Sequence, residues 1–412
     1  MRRPKRQLST LFHHLLQIWK AIPRFQEKAS LKRLRNNPSM FRRIKKSVKS
    51  RARFGRLATP HGALATPFFM PVATRGSLKS LDAQGTRDAR TEIVLSNTYH
   101  LLNRPGYALL EKCGGLHAFM GWNGPILTDS GGYQVFSLAR HRKIAALSVS
   151  FKDPQTGKTV ILTPYNVLKM QRAIGSDIMM VLDVCPPYPS EKEVIQEAIR
   201  TTTAWAKSSI MAYRKLGLYR RKERPLLFAI TQGGVYDDLR AQHAQTLAKM
   251  PFDGYAIGGL AVGEPREKMY HILTNVVQLL PEDKPRYLMG VGKPQDIMRA
   301  VQEGVDMFDC VIPTREARHG RIYVFRKRER ITATSAEWYE TYAIRHARHQ
   351  KRLVPIDPTC GCFTCGTTTI AYMHHLFRVH DPLAERLATI HNIYFYNELM
   401  RLIRRAIRTN DL

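Results

Sequence analysis

From residue 66 onward the sequence alternates short apolar runs, bounded by Gly, Pro or Asp, with longer segments of helical composition. This is the rhythm of repeated βα units, and such a chain buries its strands only in a parallel sheet with helices on the outside. The runs fall at 67–73, 92–96, 125–128, 177–182, 226–231, 255–258, 286–290 and 307–312. Eight parallel strands in sequence predict an α/β fold that closes into a (β/α)8 TIM barrel. Helices are expected between them over 192–216, 237–250, 266–280 and 294–303, the first opened by Ser190 as N-cap with Glu193 as its capping-box partner.

The ends of these runs carry groups with no reason to sit in an apolar core. Asp129, Asp183, Gln232, the Gly258–Gly259 pair and Asp309 each fall at the end of a predicted strand. That places them on the C-terminal face, where barrels of this kind keep their active sites. A single carboxylate there is most simply a helix cap or a loop anchor; five strand ends with polar or glycine residues point to a site.

A second signature lies near the C-terminus. Three of the six cysteines, Cys360, Cys362 and Cys365, fall within six residues. The C-x-x-C spacing lets two thiolates reach one ion from a turn, Cys360 adds a third, and His374, His375 and His391 follow as candidates for a fourth ligand. A closed tetrahedral Cys3His site for one structural Zn2+ is the reading; a redox C-x-x-C pair leaves Cys360 without a use. Cys113, Cys185 and Cys310 are scattered and do not form a disulfide framework, and no apolar run approaches the roughly 18 residues of a membrane span. A cytoplasmic protein with no membrane partner is expected.

Charge narrows the partner. The chain of 412 residues has 65 Lys and Arg against 33 Asp and Glu, a net charge of +32. Residues 1–53 contain 17 of those cations and one acid, Glu27, which is half of the excess; the remainder belongs to the folded body. A polyanion, nucleic acid before any other, is the partner such a surface favours. Three domains are expected: a basic N-terminal extension over 1–40, disordered or partly helical; a catalytic barrel over 41–320; and an extended linker, zinc-binding subdomain and C-terminal helix over 321–412. The extension reads equally as a transit peptide, a nucleic-acid arm, or translated sequence upstream of an internal start at Met40.

With these positions fixed, the sequence resembles the bacterial tRNA-guanine transglycosylases over residues 53–408. The likeness rests on TPFFMPVAT at 66–74, SNTYHL at 96–101, LTDSGGYQVFSL at 127–138, TQGGVYDDLR at 231–240 and GYAIGGLAVGE at 254–264. It continues through PRYLMGVGKP at 285–294, MFDCVIPTREARHG at 307–320 and TIHNIYFYNELM at 389–400. The resemblance implies exchange of guanine at the wobble position of G-U-N tRNAs for the deazaguanine base preQ1, with Asp309 as nucleophile toward ribose C1′ and Asp129 as general acid and base. It implies base recognition by Asp183, Gln232, the Gly259 N–H and the Leu260 carbonyl, with Tyr133 and Met289 sandwiching the purine. Glu264 would then read the aminomethyl group, and Val262 would exclude the bulkier queuine.

It further implies RNA contacts by Arg315 and Arg318, zinc ligation by Cys360, Cys362, Cys365 and His391, and a homodimer whose interface adjoins the metal region. The chain departs from the family pattern at Val184, where an acidic residue is expected. It departs again in a basic stretch, Arg345, His346, Arg348, His349, Lys351 and Arg352, for which an extra helix is expected. Two other readings compete: a catalytically inert tRNA-binding relative, disfavoured by the presence of both Asp129 and Asp309, and a barrel glycoside hydrolase, which explains neither the glycine-rich pocket nor the metal motif.

Overall fold

The computed structural model describes residues 40–138, 142–153, 157–221, 223–328 and 337–412. The extension expected over residues 1–40 lies, but for Met40, outside them. Along the chain, β1 (Phe41–Lys46), β2 (Arg53–Thr59) and β3 (Gly62–Thr66) form an antiparallel sheet. The barrel starts with β4 (Phe68–Pro71), β5 (Val94–Ser96) and β6 (Ile126–Thr128). An inserted antiparallel sheet follows, β7 (Arg142–Ala145), β8 (Ser148–Lys152) and β9 (Thr159–Leu162). The barrel then resumes with β10 (Ile178–Met180), β11 (Leu226–Thr231), β12 (Gly254–Ile257), β13 (Arg286–Leu288) and β14 (Met307–Cys310).

All eight predicted barrel strands are present, each within the predicted run or one residue from it. Their ladder is parallel throughout, and β14 returns to β4 with Asp309 opposite Met70. The Val72–Leu95 bridge, with Ala73 N–H donating to the Leu95 carbonyl at 2.6 Å, joins β4 to β5 and closes the ring. Every residue of β11 is buried. Its Phe228 lies opposite Gly254 on β12, where an added Cβ would stand 2.3 Å from the phenyl ring, so close packing at that point admits only glycine.

The β1–β3 sheet attaches where barrel strands begin. Arg53 and Asp306, both buried, form an ion pair just ahead of β14. Asp177, just ahead of β10, accepts the His61 N–H at 2.8 Å and the Ile126 N–H at 2.9 Å. The His61 and His117 rings stack beside it with centroids 3.7 Å apart. Burial disfavours the Asp177 charge, but hydrogen bonds from His117, Ile126 and His61 outweigh it and hold the carboxyl below its ordinary range.

The expected helices are found at Lys192–Lys215, Asp237–Ala248, Arg266–Val276 and Pro294–Gln302. Ser190 does not cap the first: the cap position belongs to Glu191, and the Ser190 hydroxyl turns back to the Pro187 carbonyl at 2.6 Å. After β14 come helix Ile312–Arg318 and the hairpin β15 (Arg321–Phe325) and β16 (Tyr339–Ala343). The basic stretch is no helix beyond a 3-10 turn at Ala347–His349, held by the buried His349 against Tyr342.

The long helix Pro382–Thr409 then crosses the barrel wall. Its Tyr396 hydroxyl donates to the Gly292 carbonyl at 2.6 Å, and Arg404 donates to the carbonyls of Ala65 and Pro67. Among the described residues, no helix is long and apolar enough to cross a membrane.

Candidate active site and metal centre

The C-terminal ends of the strands open into a cavity of about 1030 Å3. Asp129, Tyr133, Asp183, Gln232, Gly259, Leu260, Val262, Glu264, Met289, Asp309 and Arg315 all line it. Arg318 does not; it is turned back along its own helix, donating to the Thr314 carbonyl.

Asp309 is the penultimate residue of β14, beside β13. One oxygen, Oδ1, accepts from the Tyr287 hydroxyl at 2.6 Å and from the Gly290 N–H at 2.8 Å. Oδ2 accepts no hydrogen bond from the described residues. Burial raises the proton affinity of this carboxyl, and the nearby Asp129 adds to the rise; the Tyr287 and Gly290 donors oppose it.

Asp129 is held more firmly. Asn97 Nδ2 and Gln134 Nε2 donate to Oδ2 at 2.7 and 2.8 Å, and the Thr98 N–H donates to Oδ1 at 2.7 Å. Burial still prevails over these donors and keeps Asp129 above the usual carboxylate range. Two carboxyls of raised proton affinity at one cavity suit one nucleophile and one proton carrier.

Asp183 makes a polar floor with Gln232, whose Nε2 donates to Oδ2 at 2.7 Å, while the Ser130 hydroxyl donates to Oδ1 at 3.0 Å. Burial pushes Asp183 up to about 6. The buried Gln232 Oε1 has no partner among the described residues, and a Cβ on Gly259 would stand 2.3 Å from it, so a glycine is required for this approach. On the rim, the Glu264 carboxylate accepts the Ala261 and Val262 N–H groups, at 2.5 and 3.0 Å. Ala261 has φ of 57°, in the left-handed region. Because the peptide is planar and trans, fixing the Ala261 N–H fixes the Leu260 carbonyl in the opposite direction.

The sequence reading missed the groups behind this floor. Arg240, fully buried on helix Asp237–Ala248, donates to the carbonyls of Gly234, Gly258 and Gly259 at 2.8, 2.7 and 2.9 Å and forms no ion pair among the described residues. Burial brings its pKa down to about 10, so the guanidinium remains charged. One turn on, His243 Nδ1 accepts the Gln232 N–H at 2.8 Å, and burial holds this imidazole down to about 4, neutral. Tyr287, Asn97, Gln134 and Arg240 all lie inside the quoted segments, but a polar residue reveals a positioning role only once its partner is known.

The cysteine loop meets the long helix. His391 Nδ1 lies 3.9, 3.5 and 3.2 Å from the sulfurs of Cys360, Cys362 and Cys365, and all four ligand atoms lie within 4.8 Å of one another. A tetrahedral ion with thiolates at about 2.3 Å and imidazole at about 2.0 Å separates sulfur from nitrogen by roughly 3.5 Å, so the donor set is compatible with zinc. His391 Nε2 donates to the Tyr323 carbonyl at 2.7 Å, which directs the Nδ1 lone pair toward the sulfurs. Hydrogen bonds from Cys360 and Cys365 hold the Cys362 thiol below its ordinary range. Of the other histidines, His374 is buried with Nδ1 against the Ile344 carbonyl, and His375 is exposed.

Comparison with known proteins bears on this site. The family model described as queuine tRNA-ribosyltransferase matches residues 47–412. Queuine tRNA-ribosyltransferase of Thermoanaerobacter pseudethanolicus is 46% identical over 372 residues, 90% of this chain and 94% of the relative. Those of Blochmanniella pennsylvanica and Staphylococcus haemolyticus are 45% and 44% identical over 88% and 90% of this chain, and 93% of each relative. With the family model spanning barrel, cavity and cysteine loop, the chain belongs to the queuine tRNA-ribosyltransferase family, enzymes of the tRNA-guanine transglycosylase type.

Proposed function

We propose that this enzyme replaces guanine at the wobble position of G-U-N tRNAs with preQ1 through a covalent enzyme–RNA intermediate. The observation that carries the reading is Asp309, which lines the cavity that Asp129 and Asp183 share and is tethered through one oxygen by Tyr287 and Gly290, with no hydrogen bond to the other from the described residues. Asp309 Oδ2 attacks ribose C1′, the C1′–N9 bond breaks, and its electron pair leaves with guanine as Asp129 supplies a proton to the departing base. Asp129, now a carboxylate, takes the N9 proton of the incoming base. N9 then attacks C1′, the ester bond to Asp309 breaks, and both carboxyls return to their starting states. Two inversions retain the sugar configuration without water or a redox group.

Asp183 accepts the N1 and N2 protons of the purine, and Gln232 and the Gly259 N–H serve its opposite edge, between Tyr133 and Met289. Leu260 and Glu264 receive the aminomethyl cation, and the branched Val262 leaves little room for the cyclopentene of queuine. Arg315 at the cavity and Arg318 behind it contact the anticodon loop. The Cys3His set holds a structural zinc ion, which ties the cysteine loop to the long helix and takes no part in the chemistry. We further assign the enzyme to the cytoplasm and to a homodimer, in keeping with the family resemblance.

The test is incorporation of labelled guanine into unmodified G-U-N tRNA by wild type and Asp309→Asn. Label with wild type alone, while the variant still binds tRNA, supports the reading. Equal incorporation by both refutes the nucleophile, and none by either refutes the activity. Incorporation of queuine as fast as preQ1 refutes the role of Val262.

A further inference from the structure

We propose that Arg345, Arg348, Lys351, Arg352 and Arg378 form a second phosphate-binding surface for the RNA substrate, separate from the base-exchange cavity. All five side chains are exposed, and none has a carboxylate within ion-pair distance among the described residues. This contrasts with cations of the β15–β16 hairpin and the long helix: Arg321, Arg326, Arg328, Arg401 and Arg404 are paired with Glu316, Glu340, Asp357, Glu398 and Glu92. Five like charges on one uncompensated patch repel one another, and a polyanion relieves that repulsion while releasing its own counterions.

The patch is built on anchored backbone. His349 is buried against Tyr342, and its two ring nitrogens each lie 3.4 Å from a guanidinium nitrogen, of Arg348 and Arg352. Burial and the surrounding cations hold this imidazole below its ordinary range, so the neutral ring accepts from one of the two guanidinium groups and adds no charge to the patch. The Ala371 and Ile370 N–H groups donate to the Arg352 and Val354 carbonyls at 2.9 and 2.8 Å, tying the turn to helix Ile370–Arg378. Arg345 lies over the Phe377 ring at 5.3 Å, so part of its ordering cost is met before RNA arrives.

The surface also connects with the cavity. Helix Ile312–Arg318 begins three residues after Asp309, carries Arg315 on the cavity wall, and is followed by His319 and Gly320. Gly320 accepts the Ile344 N–H at 2.8 Å, and a Cβ on it would touch Arg345. Seven helical residues rise about 10 Å, the scale of a few phosphates along one strand, so an RNA seated in the cavity reaches these cations with its flanking backbone.

This inference rests on the proposed tRNA substrate, and binding of full-length unmodified G-U-N tRNA, titrated against KCl, tests the two separately. With Arg348→Gln, Lys351→Gln and Arg352→Gln combined, affinity at 0.1 M salt should fall at least about tenfold, and the slope of log affinity against log salt should flatten by about two to three. Circular dichroism and sedimentation should match wild type, since the three side chains are exposed. Unchanged affinity and slope with wild type still binding overturn this proposal alone. Failure of wild type to bind overturns it together with the functional reading. An altered oligomeric state with an unchanged slope overturns it in favour of a protein-contact surface.

Discussion

Removing one hydroxyl, in Tyr287→Phe, tests the account of Asp309 as an ionised nucleophile. The Tyr287 side chain is fully buried and donates to Asp309 Oδ1 at 2.6 Å; Phe keeps the ring and leaves Gly290 as the one remaining donor to that oxygen. A hydrogen bond to a charged acceptor contributes about 1.5–3 kcal/mol, and 1.36 kcal/mol corresponds to a tenfold change in proton affinity. Since burial already favours protonated Asp309, loss of this donor should raise its proton affinity further, by roughly ten- to a hundredfold. Exchange needs the carboxylate, so activity is lost as pH falls, and the loss should begin roughly one to two pH units higher in the variant. The assay is kcat for labelled-guanine exchange across pH at saturating tRNA and base. Asp129, Asp183 and Asp309 titrate as an interacting set, so the comparison is between the whole acid limbs of the two enzymes. A variant whose alkaline plateau is retained and whose acid limb moves up supports the reasoning. An unmoved acid limb refutes it.

Four further outcomes follow from the same geometry. Burial pushes Asp183 up to about 6, so the stability it contributes is complete below about 3.8 and is lost as pH rises through about 6. Asp183→Asn should therefore raise the melting temperature at pH 7, by up to roughly 3 kcal/mol of stability, with the gap closing by pH 4, while calorimetry shows guanine binding lost. Arg240→Lys keeps the charge but lacks the fork that reaches three carbonyls; it should raise KM for the base about tenfold or more with KM for tRNA little changed, in steady-state kinetics. Cys365→Ser should reduce bound zinc from one per chain to a small fraction by elemental analysis, and a strong chelator should lower the wild-type melting temperature. Asp177→Ala removes the acceptor for two backbone N–H groups and two imidazoles and should cost about 3 kcal/mol or more in denaturant unfolding.

The barrel was legible because its strands are buried on both faces, so apolar runs and the polar residues ending them stand out without a structure. Asp129, Asp183, Gln232 and Asp309 were legible as strand-end residues for the same reason, and their meeting in one cavity follows from closure of the ring. The β7–β9 insertion was not: Arg142–Ala145 is exposed throughout, and the period of its burial is too weak to separate a strand from a loop. The hairpin β15–β16 was hidden because charge dominates that region, and Arg345 to Arg352 has the composition of a solvated helix although its backbone answers to His349. Ser190 failed as a cap because a sequence motif cannot show that a nearer carbonyl, Pro187, takes its hydroxyl. Arg240 was invisible for a related reason: an arginine in an amphipathic helix is ordinarily a surface residue, and only the carbonyls at the ends of two strands explain its burial.

The breadth of the cavity bears on how the reaction avoids water. A hollow of about 1030 Å3, open to solvent, is far larger than one purine, and an ester between Asp309 and a ribose would be an easy target for hydrolysis there. Hydrolysis would leave an abasic site in the anticodon and a damaged tRNA in place of a modified one. On the proposed chemistry, the RNA itself fills the remaining space, serving as stopper while it is being altered. Fidelity then depends on how long the transcript stays seated between departure of one base and arrival of the next, and a loosely held RNA would turn an exchange enzyme into one that damages its substrate.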